Sequence, residues 1–369
     1  MESGLNNETT LSLDAMGGDA APTVVIEGAA LALVRHPKIK FILHGDESQL
    51  APLLKQYKTV AAASKIDHTD ATVAMEDKPS EAVRRGRNTS MWRAIDSVRQ
   101  GDARAIVSAG NTGALMAMGK IQLKTMPGIS RPAIAALWPS LKGETVVLDL
   151  GANLEADEKQ LVDFAIMGEA FARVELGLRR PAVGLLNIGE EELKGHDEIR
   201  SAAQTLRTSV TDMNFIGFVE GSDIGMGDVD VVVTDGFTGN IALKTAEGTA
   251  RQFAALLSAA MRRTWLSKLG GLLAASAFRA LKNKMDPNQS NGGVLLGLNG
   301  IVIKSHGGTD KNGFASAIEV ALDMAESEYA EIIHRRLASL EKARKSAADS
   351  DETNAADVTP ENDTKDAVG

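Results

Sequence analysis

Short apolar runs alternate with helical patterns along most of the chain. Six runs end in glycine with a polar residue beside it: KFILHG (40–45), ARAIVSAG (103–110), TVVLDLGAN (145–153), AVGLLNIGEE (182–191), VDVVVTDG (229–236) and GIVIKSHGG (300–308). A continuously apolar run predicts a strand that is covered on both faces. A shorter apolar run, 11–13, predicts a further strand before the loop DAMGGDAAP. Helical periodicity between the runs, as in residues 162–176 and 316–340, predicts an α/β fold with three α/β/α layers and a doubly wound, mostly parallel sheet.

Polar residues and glycines follow the predicted strands. Because ligands of such sheets bind beyond the carboxyl ends of the strands, we expect these residues to form one site there. The candidates, in chain order, are Asp14, Gly17, Gly18, Ser108, Asn111, Thr112, Gly113, Asn153, Asn187, Glu191, Lys194, Asp235, Asn240, Lys304, His306 and Gly307.

Each of these loops also has a structural explanation. Glycine permits a tight turn, and Asn or Asp commonly caps a helix. Several such loops in one chain favour an anion site, because the amides at a helix start are free and the helix dipole is positive there. The segment SAGNTGALMA fits this description best, and Lys194 and Lys304 are candidates for the balancing positive charge.

Other chemistries fit the residues poorly. The chain has 369 residues, six histidines and no cysteine, which excludes disulfides, thiolate metal sites and a cysteine nucleophile. The histidines are scattered, the serine elbow G-x-S-x-G is missing, and the opening loop LDAMGGDAAP matches neither the dinucleotide fingerprint nor the P-loop. We expect no metal and no cofactor. The residues alone predict a cleft that binds a small anion, with the reaction left open.

Charge and hydropathy suggest how the chain is organised. The net charge is −9, and the acids concentrate near the end. We predict a flexible N-terminus (1–10), one α/β domain (11–345) and a disordered acidic tail (346–369). Long apolar runs and a signal peptide are missing, so a cytoplasmic location is expected, and no nucleic-acid partner is expected.

Seven segments, taken in order, resemble the phosphate acyltransferase family of bacterial phospholipid synthesis. They are LDAMGGDAAP, SAGNTGAL, RPAIAALWP (131–139), LDLGAN, VGLLNIGEEELKG (183–195), GDVDVVVTDGFTGNIALKTAEG (227–248) and GGVLLGLNGIVIKSHGGTDKNGF (292–314). They extend from about residue 11 to about residue 340, and the acidic tail lies outside them.

The resemblance implies that inorganic phosphate attacks the thioester of a fatty acyl-acyl carrier protein, giving acyl phosphate and free carrier. It also implies a homodimer with a fold like isocitrate-type dehydrogenases and phosphotransacetylase, and a downstream membrane glycerol-3-phosphate acyltransferase. For that reaction, Lys194 and Lys304 would neutralise charge, and Asn111, Thr112 and Asn240 would donate hydrogen bonds. His306 would either protonate the leaving thiolate or cap a turn. Glu191 and Asp235 would orient the lysines.

Residues 253–285 have a different pattern, typical of an amphipathic helical hairpin. Its predicted tip carries Trp265, Leu266, Leu269 and Leu272, and Gly270 and Gly271 are the predicted break between the helices. Two explanations remain open: a helix pair buried in a dimer, or a tip that dips into the inner face of the cell membrane, where basic residues meet anionic lipid.

Acyl carrier protein is strongly acidic, so its docking surface should be basic. The candidates are Arg84, Arg85, Arg87 and Arg93, or the pair Arg262 and Arg263. Two alternative functions remain. A nicotinamide-dependent 2-hydroxy-acid dehydrogenase is allowed by the related fold, and a non-enzymatic membrane adaptor would leave the polar strand ends unexplained.

Overall fold

The predicted strands all form, and they belong to one sheet. The structure, a computed structural model, describes residues 8–278, 292–340 and 342. Within these residues the strands are β1 (Thr10–Asp14), β2 (Lys40–Gly45), β3 (Ser64–His68), β4 (Ala105–Ser108), β5 (Ala133–Pro139), β6 (Glu144–Leu148), β7 (Ala182–Leu186), β8 (Asn214–Val219), β9 (Val231–Val233), β10 (Gly293–Leu296) and β11 (Ile301–Lys304). Their order in the sheet is β3-β2-β1-β4-β11-β10-β5-β6-β9-β7-β8.

The sheet consists of two parallel blocks that run in opposite directions. In the first block β3, β2, β1, β4 and β11 are parallel. In the second block β6, β9, β7 and β8 are parallel. Three successive antiparallel pairings, β11 with β10, β10 with β5 and β5 with β6, join the blocks. The mostly parallel sheet is confirmed, but the expectation that all the polar strand ends share one edge is wrong.

Four strands of the structure, β3, β5, β8 and β10, are absent from the sequence prediction. β3 and β8 lie at the two edges of the sheet, where one side of a strand has no neighbouring strand. β3 has the sequence SKIDH and contains no buried residue, so the continuous apolar signal is missing. β5 and β10 are the antiparallel strands at the centre, and each lies inside one of the segments that carry the family resemblance.

Helices cover both faces of the sheet, as the three-layer prediction requires. Ile106 and Val107 of β4 are adjacent and belong to different buried apolar clusters, one on each face. Within the described residues the helices are α1 (Thr23–Arg35), α2 (Glu47–Gln56), α3 (Lys58–Ala63), α4 (Pro79–Arg85), α5 (Ser90–Gln100), α6 (Thr112–Leu123), α7 (Glu158–Glu175), α8 (Asp197–Ser209), α9 (Gly221–Met226), α10 (Gly236–Arg262), α11 (Trp265–Leu273) and α12 (Lys311–Glu326). A 3-10 turn, Gly86–Asn88, follows α4.

The predicted helix at 162–176 begins earlier than its apolar pattern. Asp157 Oδ1 accepts a 2.8 Å hydrogen bond from the Gln160 amide, and the Asp157 amide donates to Gln160 Oε1 at 3.1 Å. This capping box starts α7 at Glu158, because it satisfies amides that the first turn of a helix leaves without partners.

The predicted helix over 316–340 is interrupted at Ser327. The Ser327 hydroxyl donates to the Met324 carbonyl at 2.9 Å and accepts from the Tyr329 amide at 3.3 Å. A serine side chain that replaces backbone partners in this way ends α12, and a second helical stretch occupies 329–340. Most of the predicted N-terminal segment (1–10) and all of the acidic tail (346–369) lie outside the described residues.

Candidate active site

A buried hydrogen-bonded pair joins the ends of β1 and β4. The Ser108 hydroxyl donates to Asp14 Oδ2 at 2.6 Å, and the Gly110 amide donates to Ser108 Oγ at 3.1 Å. Asp14 is only 1% exposed, and its other oxygen, Oδ1, has no hydrogen-bond partner among the described residues. Burial raises the pKa of the Asp14 carboxyl, while the Ser108 hydrogen bond opposes that rise.

Glycines bring the loops after these strands into close contact. A Cβ atom at Gly17 would lie 2.7 Å from the Gly110 amide nitrogen. Gly18 has φ +104°, a backbone conformation that favours glycine. The next amide, that of Asp19, donates to the Gly307 carbonyl at 2.9 Å, so the loops after β1 and β11 are joined as well.

Lys304 ends β11 and points into the same cluster. Its Nζ donates to the Ala109 carbonyl at 3.3 Å. Burial lowers the pKa of Lys304 to about 8, and the charges of Asp14 and Asp19 oppose that shift, whereas Lys244 adds to it. The ammonium is therefore a partly desolvated positive charge beside the glycine turns, which is the setting that an anion site needs.

His306 lies two residues beyond Lys304. The Gly308 amide donates to His306 Nδ1 at 3.2 Å, so the proton of the neutral ring is on Nε2. Partial burial lowers the pKa of His306, and the positive charge of Lys244 lowers it further. A neutral imidazole that carries its proton on Nε2 is a hydrogen-bond donor at neutral pH.

The Asn111 side chain holds two segments of the protein in place, the start of α6 and the residues just before α4. Its Oδ1 accepts from the Ala114 amide at 3.0 Å, which caps α6. Its Nδ2 donates to the Met75 and Asp77 carbonyls at 2.8 and 2.9 Å. Both hydrogens of the side-chain amide are thus used, and the structure gives Asn111 a positioning role in place of the direct donor role assigned from the sequence.

The start of α6 has amide donors without a hydrogen-bond partner among the described residues. Thr112 and Gly113 open the helix, where backbone amides have no intrahelical acceptor. A Cβ atom at Gly113 would lie 2.6 Å from Pro79 Cγ, so the glycine lets α4 approach this helix end.

The polar residues of the loop after β6 form a separate hydrogen-bonded group. Asp149 is fully buried; its Oδ1 accepts from the Ile134 and Ala152 amides at 3.0 Å each. Its Oδ2 accepts from the amide and the side chain of Asn153 at 2.7 and 2.8 Å. Burial raises the pKa of Asp149, and these hydrogen bonds oppose the rise. The bonds fix the loop under α10, so Asn153 acts here as a scaffold.

The first turn of α10 packs on that scaffold. Asp235 caps the helix by accepting from the Thr238 amide at 2.8 Å. The Gly236 amide donates to the Asn153 carbonyl at 2.8 Å. Asn240 follows on the exposed side of the helix and lies against Gly151. Its side-chain amide makes no hydrogen bond within the described residues and is available to a ligand.

Lys194 and Glu191 lie in the loop after β7. Lys194 Nζ is 3.9 Å from Glu191 Oε1, and the lysine side chain is 51% exposed. Asn187 Nδ2 donates to the Lys194 carbonyl at 3.1 Å and so shapes the loop. These residues belong to the second block, whose carboxyl ends point away from those of the block that carries Lys304.

Lys244, the last residue of the candidate loop VTDGFTGNIALK (233–244), is a further cation near the site, and the sequence assigned it no role. It lies on α10, and its charge lowers the pKa of both Lys304 and His306, which brings it into the electrostatic environment of the first cluster. Its Nζ donates to Glu247 Oε2 at 3.2 Å. The spacing of four residues from Asn240 to Lys244 puts both on one helix face. This spacing is the sequence feature that could have placed Lys244 in the site. α10 thus begins on the β6 loop and brings a positive charge into the environment of the first cluster.

The far end of α10 and all of α11 form the predicted hairpin, with one correction. α10 ends at Arg262, and Thr264 caps α11 by accepting from the Ser267 amide at 3.1 Å. The turn therefore precedes Trp265, and Gly270 and Gly271 lie inside α11. Residues 279–285 of the predicted hairpin are outside the described residues.

The hairpin exposes large apolar side chains. α10 buries only Gly236 and Gly239, and the described residues of α11 include no buried one. The exposed apolar side chains along the hairpin are 50–79% exposed and comprise Phe253, Leu256, Trp265, Leu266, Leu269, Leu272 and Leu273. Among the described residues, no helix has the length and apolar character required to cross a bilayer.

Metal ligation has no support in the described part of the chain. No group of three or more His, Cys, Asp or Glu side chains there is arranged to hold a metal ion.

Solved structures share this fold. EutD phosphotransacetylase from Staphylococcus aureus superposes with a TM-score of 0.58 at 18% identity, covering 86% of this chain and 94% of that one. A phosphotransacetylase from Streptococcus pyogenes superposes with a TM-score of 0.60 at 16% identity, covering 87% and 95%. The chain thus belongs to the class of α/β proteins with the phosphotransacetylase-like fold.

Sequence relatives define the family. The family described as "Fatty acid synthesis protein" matches residues 9–332. The phosphate acyltransferase of Xanthobacter autotrophicus is 59% identical over 328 residues, covering 89% of this chain and 92% of the relative. That of Parvibaculum lavamentivorans is 60% identical over 320 residues, covering 86% and 89%. The chain belongs to the phosphate acyltransferase family of fatty acid and phospholipid synthesis. This confirms the resemblance and makes the chain an acyltransferase, not a dehydrogenase or an adaptor.

Proposed function

We propose that the protein transfers a fatty acyl group from the thioester of acyl carrier protein directly to inorganic phosphate. A phosphate oxygen attacks the carbonyl carbon, the new C–O bond forms, the C–S bond breaks, and the carrier thiolate takes up a proton. The products are acyl phosphate and free carrier protein. The observation that carries the proposal is Lys304, a partly desolvated cation beside glycine turns at the ends of β1, β4 and β11.

Phosphate would bind between these turns and the start of α6. The free amides of Thr112 and Gly113 and the helix dipole favour an anion there. Lys304 supplies positive charge, and the Asp14–Ser108 pair holds the β1 and β4 loops at a fixed separation. Holding the nucleophile in place removes much of the entropic barrier to attack on a bound thioester.

The opposite wall of the site would be α10. Asn240 has a free amide and Lys244 a charge on the same helix face, and these suit the oxyanion of the tetrahedral intermediate. Lys194 is a further candidate for that charge. The Nε2–H of the neutral His306 ring would donate a hydrogen bond to the leaving thiolate, and the thiolate would take its proton from water, since a thiol pKa of about 8.5 already makes it a good leaving group.

Further features concern partners and location. We propose a homodimer that delivers acyl phosphate to a membrane glycerol-3-phosphate acyltransferase. The apolar hairpin, together with Arg262, Arg263 and Lys268, would contact the anionic inner face of the cell membrane from the cytoplasmic side.

An assay with hydroxylamine, which converts acyl phosphate to a hydroxamate, tests the reaction. Purified protein, acyl carrier thioester and phosphate should give hydroxamate above the background that the thioester gives by itself, and omission of phosphate should abolish that excess. Equal hydroxamate with and without phosphate would contradict direct transfer to phosphate. A Lys304→Met variant is the matched control, because it keeps the loop but lacks the charge.

A further inference from the structure

Three exposed arginines occur together where α4 ends and the 3-10 turn begins. Arg84, Arg85 and Arg87 are all exposed, and none of them forms an ion pair within the described residues. Some other surface arginines are paired: Arg35 Nη1 is 2.6 Å from Glu319, and Arg207 Nη1 is 2.8 Å from Glu192. The three side chains therefore form a local positive surface on a chain whose net charge is −9.

This basic surface adjoins the candidate phosphate site. The segment before it covers two of the glycine turns: Pro79 Cγ lies 2.6 Å from the Cβ position of Gly113, and Met75 Cε lies 3.0 Å from that of Gly307. α4 is seven residues long, so at 1.5 Å per residue its basic end is about 10 Å from Pro79.

Hydrogen bonds fix the backbone on both sides of α4. Asn111 donates to the Met75 and Asp77 carbonyls, which fixes the chain just before α4 to the start of α6. In the next turn, the Thr89 hydroxyl donates to the Gly86 carbonyl at 2.7 Å. A partner that binds the arginines is thus held in a defined relation to the phosphate site.

We infer that Arg84, Arg85 and Arg87 form the docking surface for an acidic carrier domain, which presents its thioester to the adjacent site. This inference rests on the proposed function. Unpaired surface charge of one sign attracts a partner of opposite charge and orients it before contact, and salt screens the effect over about 10 Å. Arg262 and Arg263 on the hairpin are the competing basic pair, but they lie at the opposite end of α10 from its site-facing turns.

The test is charge reversal in the full-length protein. In the double variant Arg84→Glu/Arg85→Glu, the Kd for purified holo-acyl carrier protein should rise about tenfold or more, a change typical of lost charge complementarity. The KM for acyl carrier thioester should rise in parallel, while kcat at saturating substrate stays within about twofold, since these residues touch no reacting group. The salt dependence of the Kd should also weaken.

Two control variants and one substrate control complete the design. Arg262→Glu/Arg263→Glu and Arg179→Glu/Arg180→Glu carry the same charge change elsewhere and should leave the Kd for the carrier unchanged. An unchanged Kd in the α4 variant, or an equal loss in either control, would overturn the docking surface. If the unaltered protein forms no acyl phosphate even with saturating acyl carrier thioester, the proposed function itself fails, and the docking role falls with it.

Discussion

The Ser108 hydroxyl donates a 2.6 Å hydrogen bond to a buried oxygen of Asp14 and so joins the ends of two neighbouring strands. Removing the donor leaves a buried carboxylate short of a partner, which costs about 1–3 kcal/mol. We therefore expect Ser108→Ala to lower the free energy of unfolding by about that amount in urea titrations. Ser339→Ala removes an exposed hydroxyl and should change it by less than about 0.5 kcal/mol. If both variants lost a similar free energy of unfolding, the hydrogen bond to Asp14 would not contribute more to stability than an exposed hydroxyl does.

The charge of Lys304 gives the reaction a pH dependence. Burial lowers the pKa of Lys304 to about 8, so the positively charged form dominates at neutral pH and is lost as pH rises through that value. We expect kcat/KM for phosphate to fall above about pH 8 by up to tenfold per pH unit. In Lys304→Arg the guanidinium, whose pKa is well above that of lysine, keeps its charge over the tested range, and this alkaline decline should disappear. A decline that is retained in Lys304→Arg would assign it to another group.

Lys194 and Lys244 lie on different elements, so substituting each one tests which element contributes to the site. Lys244 shares the electrostatic environment of Lys304 and His306, whereas Lys194 is half-exposed on the loop after β7. We expect Lys244→Ala to lower kcat/KM by about 100-fold, as loss of an oxyanion partner does, and Lys194→Ala, on a loop at the opposite edge of the sheet, to have a smaller effect, with circular dichroism and Tm unchanged in both. Lys142→Ala, on an exposed turn, should have normal activity. Near-normal turnover in either variant would remove that lysine from the site.

The packing of α10 on the β6 loop depends on Gly239. A Cβ atom there would lie 2.0 Å from the Asp149 carbonyl oxygen, so the helix start must shift. We expect Gly239→Ala to destabilise the protein by about 1–3 kcal/mol or more and to reduce activity, measured by urea unfolding and by the hydroxamate assay. Gly248→Ala, on the same helix with open space around it, should be neutral or stabilising by up to about 1 kcal/mol. The reverse order of stabilities would contradict the packing.

The apolar hairpin predicts membrane binding. Leu269 and Leu272 are 50% and 73% exposed on α11, and Leu269→Glu/Leu272→Glu should release the protein from anionic liposomes in co-sedimentation. Val34→Glu/Leu141→Glu changes two residues that are 80% and 71% exposed elsewhere and should leave binding intact. Undiminished sedimentation of the hairpin variant would end this proposal. A shift from dimer to monomer in that case would support the dimer-packing alternative.

The sequence by itself determined most of the local structure. Continuous apolar runs identified seven strands, because a strand covered on both faces must be apolar throughout. Glycines and capping residues marked the turns after them, and seven ordered segments identified the family. The edge strands β3 and β8 have no such local signature because they are partly exposed. The helix break at Ser327 has none because it depends on the hydrogen bonds of one side chain.

Only the tertiary structure decided which loops meet. Three antiparallel pairings reverse the second block, and so Asp14, Ser108, Lys304 and Gly307 come together while Asn153 and Asn187 lie in other loops. Strand direction is set by pairing between segments far apart in the chain, and local periodicity carries no information about it. The same holds for Lys244: α10 starts on the β6 loop, and it brings the charge of Lys244 into the electrostatic environment of Lys304 and His306.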